Sequence, residues 1–293
     1  MPYGYEEYRL SKGISPNTTK IEAQLIRSLL AYINQYYKRS VEPFEIRPID
    51  IKNFLQHQKE EGNLKDATIL RKLGTIKNWF DYMWQINKIP HDFMPKLKLQ
   101  TDTKPGREDI ELDYSYLLHK KPDVLRSDKI LLYAKMLYIL YLRGFRLRDV
   151  VNITLDQIED KGESMIFRVN KKNGLVQTAT FSGIEVPIIL SCMERAIFRG
   201  TPYLLSSKVN KEYVPLQFGS LKDFISSLKE ELGTSFRSEH VRFAYVHYLY
   251  THEKKSIEQL QEILGTSLNS IAVTLKEALE RIKQVDYNGI IDR

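Results

Sequence analysis

A polar segment near residue 100 divides the chain into two parts of unequal length. Residues 96–111, KLKLQTDTKPGREDIE, contain few large apolar side chains and include Pro105-Gly106. A stretch like this adds little to a hydrophobic core, and Pro-Gly pairs are typical of turns and linkers. The 293 residues suffice for two domains. We therefore expect an N-terminal domain at 1–98, a linker at 99–111 and a C-terminal domain at 112–293.

The first part has the residue spacing of a helical bundle. Ser15-Pro16 is typical of a helix start, because a serine hydroxyl caps free amide groups and proline fits the first helical position. Further starts are predicted at Pro48 and near Asp66, and the last helix is expected to extend to about Ile89. After the first start, apolar residues recur at helical spacing, namely Ile21, Leu25, Leu29, Ile33 and Tyr36. We predict a compact bundle of about four helices.

The second part opens with helices and then changes its period. Ile166, Val169 and residues 176–181 are typical of strands, and Lys171-Lys172-Asn173-Gly174 lies between them as a turn. Helical patterns resume near Val186, Leu216, Ser238, Ser256 and Ser267. The fold class that follows is mainly α, with one small β-sheet in the larger domain.

The distribution of charge favours a polyanion as partner. The chain has a net charge of +7, and residues 1–104 hold 17 basic and 12 acidic side chains. The basic excess is thus concentrated in the smaller part, as expected of a module that holds nucleic acid.

Other classes of protein fit the composition poorly. Cys192 is the only cysteine, which excludes an intrachain disulfide and is typical of a reducing compartment. The most apolar run, 130–142, contains Lys135 and is too short to span a bilayer. We expect a soluble cytoplasmic protein with no membrane partner, no cofactor, no metal and no evident small-molecule substrate.

Four short motifs in the second part carry a resemblance to a known family. Gly144, Phe145, Arg146 and Asp149 form the first, and the Lys171-Lys172 turn is the second. Glu239-His240-Val241-Arg242 and Leu264-Gly265-Thr266-Ser267 follow. In this order they resemble the first-arginine box, the β-hairpin lysine, the His-x-x-Arg box and the Leu-Gly-His-Ser segment of the tyrosine recombinases, the phage integrase family.

The first part agrees with this resemblance. Ile14-Ser15-Pro16-Asn17-Thr18 is similar to helix starts that are common in the family, and residues 67–82 resemble its core-binding helix. The resemblance implies a two-domain clamp around DNA. An N-terminal helical core-binding domain and a C-terminal catalytic-type domain would form it.

Three positions depart from the family pattern. Glu239 and Thr266 occupy the positions of the family's histidines, and Leu275 occupies that of its tyrosine nucleophile. The family reaction joins a tyrosine oxygen to a DNA phosphate, with two arginines stabilising charge and a lysine acting as general acid. Leucine has no oxygen for this attack. The chain therefore resembles a degenerate member, and the sequence favours a non-enzyme without settling the question.

The expected DNA contacts each have an ordinary structural alternative. Arg146 and Arg242 are expected to hold a DNA phosphate, the alternative being ion pairs with Asp149 or Glu239. His240 is expected beside them. Lys171 and Lys172 are expected to contact DNA, the alternative being a solvated turn. Arg71, Lys72 and Lys77 are expected to contact DNA in the major groove, the alternative being a solvated helix face.

Three functions remain in competition. The leading hypothesis is a sequence-specific DNA-binding protein, a transcriptional repressor of phage or mobile-element genes such as a prophage repressor, acting as a homo-oligomer on double-stranded DNA. The second is an active recombinase with a displaced nucleophile, for which Tyr287 is the candidate because it is the only tyrosine after Tyr250. The third is an architectural factor that bends DNA for another recombinase.

Overall fold

The chain folds into two compact units, residues 1–106 and 107–293. A computed structural model describes residues 2–99, 109–171, 173–234 and 236–283. Leu97 packs into the core of the first unit, and Ile110 packs into the core of the second. The polar segment around residue 100 is thus bounded on both sides by buried apolar side chains.

The first unit is a helical bundle. The hydroxyl of Ser15 accepts a hydrogen bond from the amide of Thr18, so the expected cap starts the second helix. Its core is built around Trp79, Phe80 and Phe54, which are almost fully buried. The main helices are α1 (Tyr5–Ser11), α2 (Pro16–Tyr37), α3 (Pro48–Glu61) and α4 (Asp66–Gln85).

The second unit combines eight described helices with short strands. Its helices are α5 (Tyr114–Arg126), α6 (Leu132–Leu142), α7 (Leu147–Val150), α8 (Val186–Phe198), α9 (Leu221–Leu232), α10 (Ser238–Thr251), α11 (Ile257–Leu264) and α12 (Leu268–Arg281). Its strands are β1 (Ile110–Glu111), β2 (Ile158–Asp160), β3 (Ser164–Asn170), β4 (Val176–Ser182), β5 (Ser206–Val209), β6 (Glu212–Pro215) and β7 (Ile282–Lys283). Residues 134 and 136–142 of α6 are all buried, so this helix forms the centre of the unit.

The strands form three small sheets. β2, β3 and β4 make an antiparallel sheet in which Phe167 of β3 pairs with Ala179 of β4. Side chains alternate between its faces, and Met165, Phe167 and Val169 point into the core. β5 and β6 form an antiparallel hairpin, and β1 pairs with β7 in parallel.

The expected fold class is confirmed, with differences in detail. The described part is mainly helical, and the hairpin turn falls between β3 and β4 as predicted. α4 ends at Gln85 and not near Ile89, since a turn follows it. The β5–β6 hairpin was not predicted, and Ile110–Glu111, placed in the linker by the sequence interpretation, form β1.

Candidate anion-binding site

The turn after α6 places Arg146 at the start of α7. Gly144 has a φ of 70°, a conformation that side chains other than glycine rarely adopt. A Cβ atom there would lie 2.6 Å from Leu264 Cδ2 and 2.8 Å from Tyr245 Cδ1. Glycine therefore permits both the turn and the close approach of α10 and α11. The Arg146 side chain is exposed and has no hydrogen-bond or ion-pair partner among the described residues.

A second glycine brings the α11–α12 turn against the sheet. Gly265 has a φ of 55°, and a Cβ there would lie 2.7 Å from the backbone nitrogen of Gln177 in β4. This contact brings α11 and the start of α12 against the hairpin that carries Lys171. The two glycines thus determine how closely the site's elements approach one another.

The charged side chain of Arg242, on α10, is buried. It is 6% exposed, and its Nη1 donates a hydrogen bond to the carbonyl oxygen of Gly144. Its Nη2 is buried and has no hydrogen-bond partner in the described part of the chain. Burial, together with the nearby Arg146 charge, lowers the pKa of Arg242 to about 10. The side chain is still charged at neutral pH and has a free donor, which an anion can satisfy.

Lys171 lies at the end of the β3–β4 hairpin, close to both arginines. Its Nζ donates to Oδ2 of Asp149 at 2.5 Å and lies 5.1 Å from the centre of the Phe145 ring. Burial lowers the pKa of Lys171 to about 8, and the Asp149 carboxylate opposes that shift. Arg242 and Arg146 lower it further. Asp149 thus pairs with the lysine, and neither arginine forms an ion pair with Asp149 or Glu239 within the described ranges.

A pocket of about 340 Å³ opens at the two arginines, and its lining does not include Lys171 or Asp149. Arg146 and Arg242 line it together with one carboxylate, that of the exposed Glu239. The remaining lining residues are Leu147, Arg148, Ser238, Phe243 and Thr274. With three guanidinium groups against one carboxylate in its lining, the pocket favours an anion such as a phosphate.

α12 meets this pocket with a residue that the sequence did not single out. Thr274 lines the pocket, and its hydroxyl donates to the carbonyl oxygen of Ser270 at 2.7 Å. Leu275 is 6% exposed and belongs to the apolar core, on the same helix face as Ile271 and Ala278. Thr266, in the second histidine position, is also buried.

The other predicted contacts lie elsewhere or outside the described residues. His240 is half-buried on α10 and is absent from the pocket lining. Lys172 and Tyr287 lie outside the described residues. In the first unit, Arg71 is exposed on α4, Lys77 is half-buried, and Nζ of Lys72 donates to Oε1 of Gln58 at 2.5 Å. Burial lowers the pKa of Lys72.

Sequence reasoning missed several residues of the site. Thr274 could have been found from the sequence, because it directly precedes the aligned position 275 and lies on the neighbouring part of the same predicted helix. Gln177 is buried in β4, where its amide donates to the carbonyl oxygen of Arg143. The Arg143 guanidinium lies 3.1 Å from the buried carboxylate of Glu185. No local pattern marks these two contacts, because they join residues more than 30 positions apart.

The described residues contain no cluster of three or more histidine, cysteine, aspartate or glutamate side chains able to hold a metal ion. None of their helices is long and apolar enough to cross a membrane.

The architecture is similar to that of known proteins, although the sequence alone finds no match. No protein-family model matches the sequence, and a comparison with curated proteins finds no match. The structure is similar to the Tn1549 transposon integrase in complex with a circular intermediate DNA, with a TM-score of 0.62, 16% identity, and coverage of 98% of this chain and 96% of that one. It is also similar to XerH site-specific recombinase bound to difH substrate in a pre-cleavage complex, with a TM-score of 0.61, 17% identity, and coverage of 90% and 78%. The resemblance seen in the sequence is confirmed at the level of architecture: the chain has the fold of the tyrosine recombinases.

Proposed function

We propose that this protein binds specific double-stranded DNA without joining to it, and that it serves as a transcriptional repressor of phage or mobile-element genes. It would act in the cytoplasm, as a homo-oligomer on its DNA site. The proposal has two parts, DNA binding and the absence of covalent attack, and different residues support each.

The observation that carries DNA binding is the buried guanidinium of Arg242. Its Nη2 has no hydrogen-bond partner in the described part of the chain, and the residue lines a pocket together with Arg146. An unpaired buried donor costs about 1–3 kcal/mol, more for a charged group, and a phosphate oxygen would remove that cost. The similar integrase and XerH structures are DNA complexes, which agrees with a phosphate as the anion.

The absence of covalent attack rests on α12. Position 275 holds a leucine within the core, and the adjacent Thr274 hydroxyl already donates to a backbone carbonyl. A threonine hydroxyl near a phosphate also needs a base to activate it. The lining of this pocket contains no histidine, and its one carboxylate, Glu239, is exposed. We therefore propose that the pocket holds phosphate and performs no chemistry on it.

A covalent-trapping experiment tests the second part. The bound DNA is first identified by selection from random duplexes, and a nick is then placed at each position of the selected site. We expect retarded complexes in native gels and no protein–DNA band that survives denaturation, both for the wild type and for Leu275→Tyr. The restored tyrosine would still occupy a core position, with Glu239 and Thr266 at the histidine positions.

Tyr287→Phe is the decisive control. It should leave DNA binding unchanged and produce no difference in the denaturing gel. A denaturation-resistant band in the wild type that disappears in Tyr287→Phe would overturn the proposal and identify a recombinase with a displaced nucleophile.

A promoter assay separates a repressor from an architectural factor. The selected site is placed over a reporter promoter, and we expect lower transcription when the protein is present. Arg146→Ala serves as the variant of reduced affinity and should restore transcription. Unchanged transcription combined with strong bending of the bound DNA would favour the architectural role.

A further inference from the structure

A second pocket in the larger unit has the chemistry of a small-molecule site. It lies beside the first turn of α6 and has a volume of about 360 Å³. Pockets that bind small ligands begin at about 300 Å³. Its lining residues are Leu131, Leu132, Tyr133, Arg195, Arg199, Ser206, Ser207, Leu216, Ser220 and Phe224. Arg146 and Arg242 are not among them, so it is distinct from the anion-binding pocket described above.

Two arginines at this pocket lack a carboxylate partner. Arg199 donates from Nη1 to the hydroxyl of Tyr133 at 2.9 Å and to the backbone carbonyl of Ser206 at 3.3 Å. The guanidinium of Arg195 lies 5.5 Å from the centre of the Tyr133 ring. In the part of the chain that the structure describes, neither side chain has an aspartate or glutamate within ion-pair distance. Two positive charges therefore line one pocket, and its other lining residues are uncharged.

The first turn of α6 adds to this positive potential. Leu131 caps α6 without a side-chain hydrogen bond, and residues 131–133 line the pocket. The free amide groups at a helix N-terminus favour a negative charge nearby. The helix end thus acts in the same direction as Arg195 and Arg199.

The other walls are apolar, and this restricts the kind of anion. Leu131, Leu132, Leu216 and Phe224 form these walls, and three serine residues lie among them. A small inorganic anion would leave this apolar surface without contact. An anion with an apolar body would bury that surface at about 25 cal/mol per Å².

We propose that this pocket binds a small monocarboxylate with a compact apolar body, of the arylalkanoate class. The carboxylate accepts hydrogen bonds from Arg195 and Arg199, and the apolar body packs against the leucines and Phe224. The inference does not depend on the proposed DNA-binding function, because it involves a different pocket and different residues.

Three probes test the charge and the apolar body of the ligand separately, by isothermal titration calorimetry on the full chain. 3-Phenylpropionate has both the charge and the apolar body, 3-phenylpropionamide has only the body, and acetate has only the charge. We expect saturable one-to-one binding of 3-phenylpropionate, with the amide and acetate each at least about tenfold weaker. No saturable binding of 3-phenylpropionate, or equal binding of the acid and either of the other probes, would overturn the proposal.

Variants then locate the binding. Arg195→Gln should weaken 3-phenylpropionate about tenfold, because it removes one charged donor while the exposed side chain contributes little to folding. Ser220→Phe should abolish binding by filling the pocket. Arg126→Gln on α5 is the matched control, since Arg126 is an exposed arginine outside the pocket lining. Equal effects of the Arg195 and Arg126 variants would show that the acid binds elsewhere.

Discussion

Two of the helices that line the pocket of Arg146 and Arg242 contribute opposite kinds of surface. α10 supplies a buried guanidinium with a free donor, whereas α12 supplies Leu275 to the core and a threonine hydroxyl that is already engaged. Holding a phosphate requires the first kind of group, and attacking a phosphate requires an available oxygen. If the proposed function is right, binding and covalent chemistry depend on different elements of one fold, and α10 retains the first while α12 lacks the second.

The largest expected effect comes from the α12 side and concerns stability. Leu275→Ala should lower the free energy of unfolding by about 2–5 kcal/mol, because it removes a buried side chain from a packed core. Thr274→Ala, one position earlier, is the matched control and should cost about 1 kcal/mol, since it loses one hydrogen bond to Ser270. Chemical denaturation followed by circular dichroism measures both. Equal losses in the two variants would contradict the assignment of position 275 to the core.

The next effect comes from the cationic side of the pocket, where Arg146 lies at the start of α7, and it concerns affinity. Arg146→Ala should weaken binding to all duplex DNA about 10- to 100-fold and reduce the salt dependence by about one counterion, because one charged phosphate contact is lost. The exposed Arg146 side chain has no partner among the described residues, so the Arg146→Ala variant should fold like the wild type. Fluorescence anisotropy over a series of salt concentrations provides the measurement.

Arg242→Lys extends this test to the buried group. It retains a charge but loses the forked donor geometry, and affinity should fall while the salt dependence changes little. Arg126→Ala is the control for both arginine variants. If Arg146→Ala and Arg242→Lys bind DNA like the wild type while remaining folded, the pocket does not hold phosphate.

The cations of α4 should have a smaller and qualitatively different effect. We expect Arg71→Ala to change the preference among DNA sequences by about 1 kcal/mol, the lower end of the range for a base contact, at one or two positions, if α4 enters the major groove. Lys72 donates to Gln58, so Lys72→Met should have the weaker effect of the two. Repeating the selection from random duplexes with each variant reveals the change. A uniform loss across all sequences would instead place α4 on the DNA backbone.

The sequence predicted much of the fold because its signals are local. The signals are the Ser15 cap, the apolar repeat of α2 and the turn between β3 and β4. Each of them depends on residues only a few positions apart. The β5–β6 hairpin was missed because its turn is Asn210-Lys211, where both residues have a positive φ without the usual glycine. Its strands are also short and mostly polar, so they show little alternation.

The site was only partly predictable for a different reason. The motifs identified Arg146, Arg242 and Lys171, but which charges pair depends on contacts between distant residues. The ion pair of Lys171 with Asp149 spans 22 positions, and the contact of Arg242 with Gly144 spans 98. Ion pairs of the arginines with Asp149 or Glu239, the alternative left open by the sequence, are not found among the described residues. Burial of Lys171 and Arg242 follows from packing, which no local spacing reveals.

The smallest expected effect is a pH dependence of DNA binding that comes from Lys171. Its pKa is lowered to about 8, mainly by burial, from an ordinary value of 10.5. The amine therefore loses its proton as the pH rises through about 8, and it then offers no charge to a phosphate. DNA affinity should fall a few-fold, and no more than about tenfold, between about pH 7 and pH 9.

The contribution of Lys171 to stability should rise, not fall, as the pH increases from about 8 to 10.5. The unfolded chain retains this proton up to about pH 10.5, so between about pH 8 and pH 10.5 the unfolded state binds more protons than the folded state. The contribution of Lys171 to the free energy of unfolding therefore increases with pH while its contribution to DNA binding decreases. Lys171→Gln is the control for both, and its affinity should be lower than that of the wild type at pH 7 and nearly constant up to pH 9. If the wild type and Lys171→Gln showed the same pH profile, Lys171 would not be the titrating group that faces the DNA. Only Arg146 and Arg242 would then remain as proposed phosphate contacts of this site.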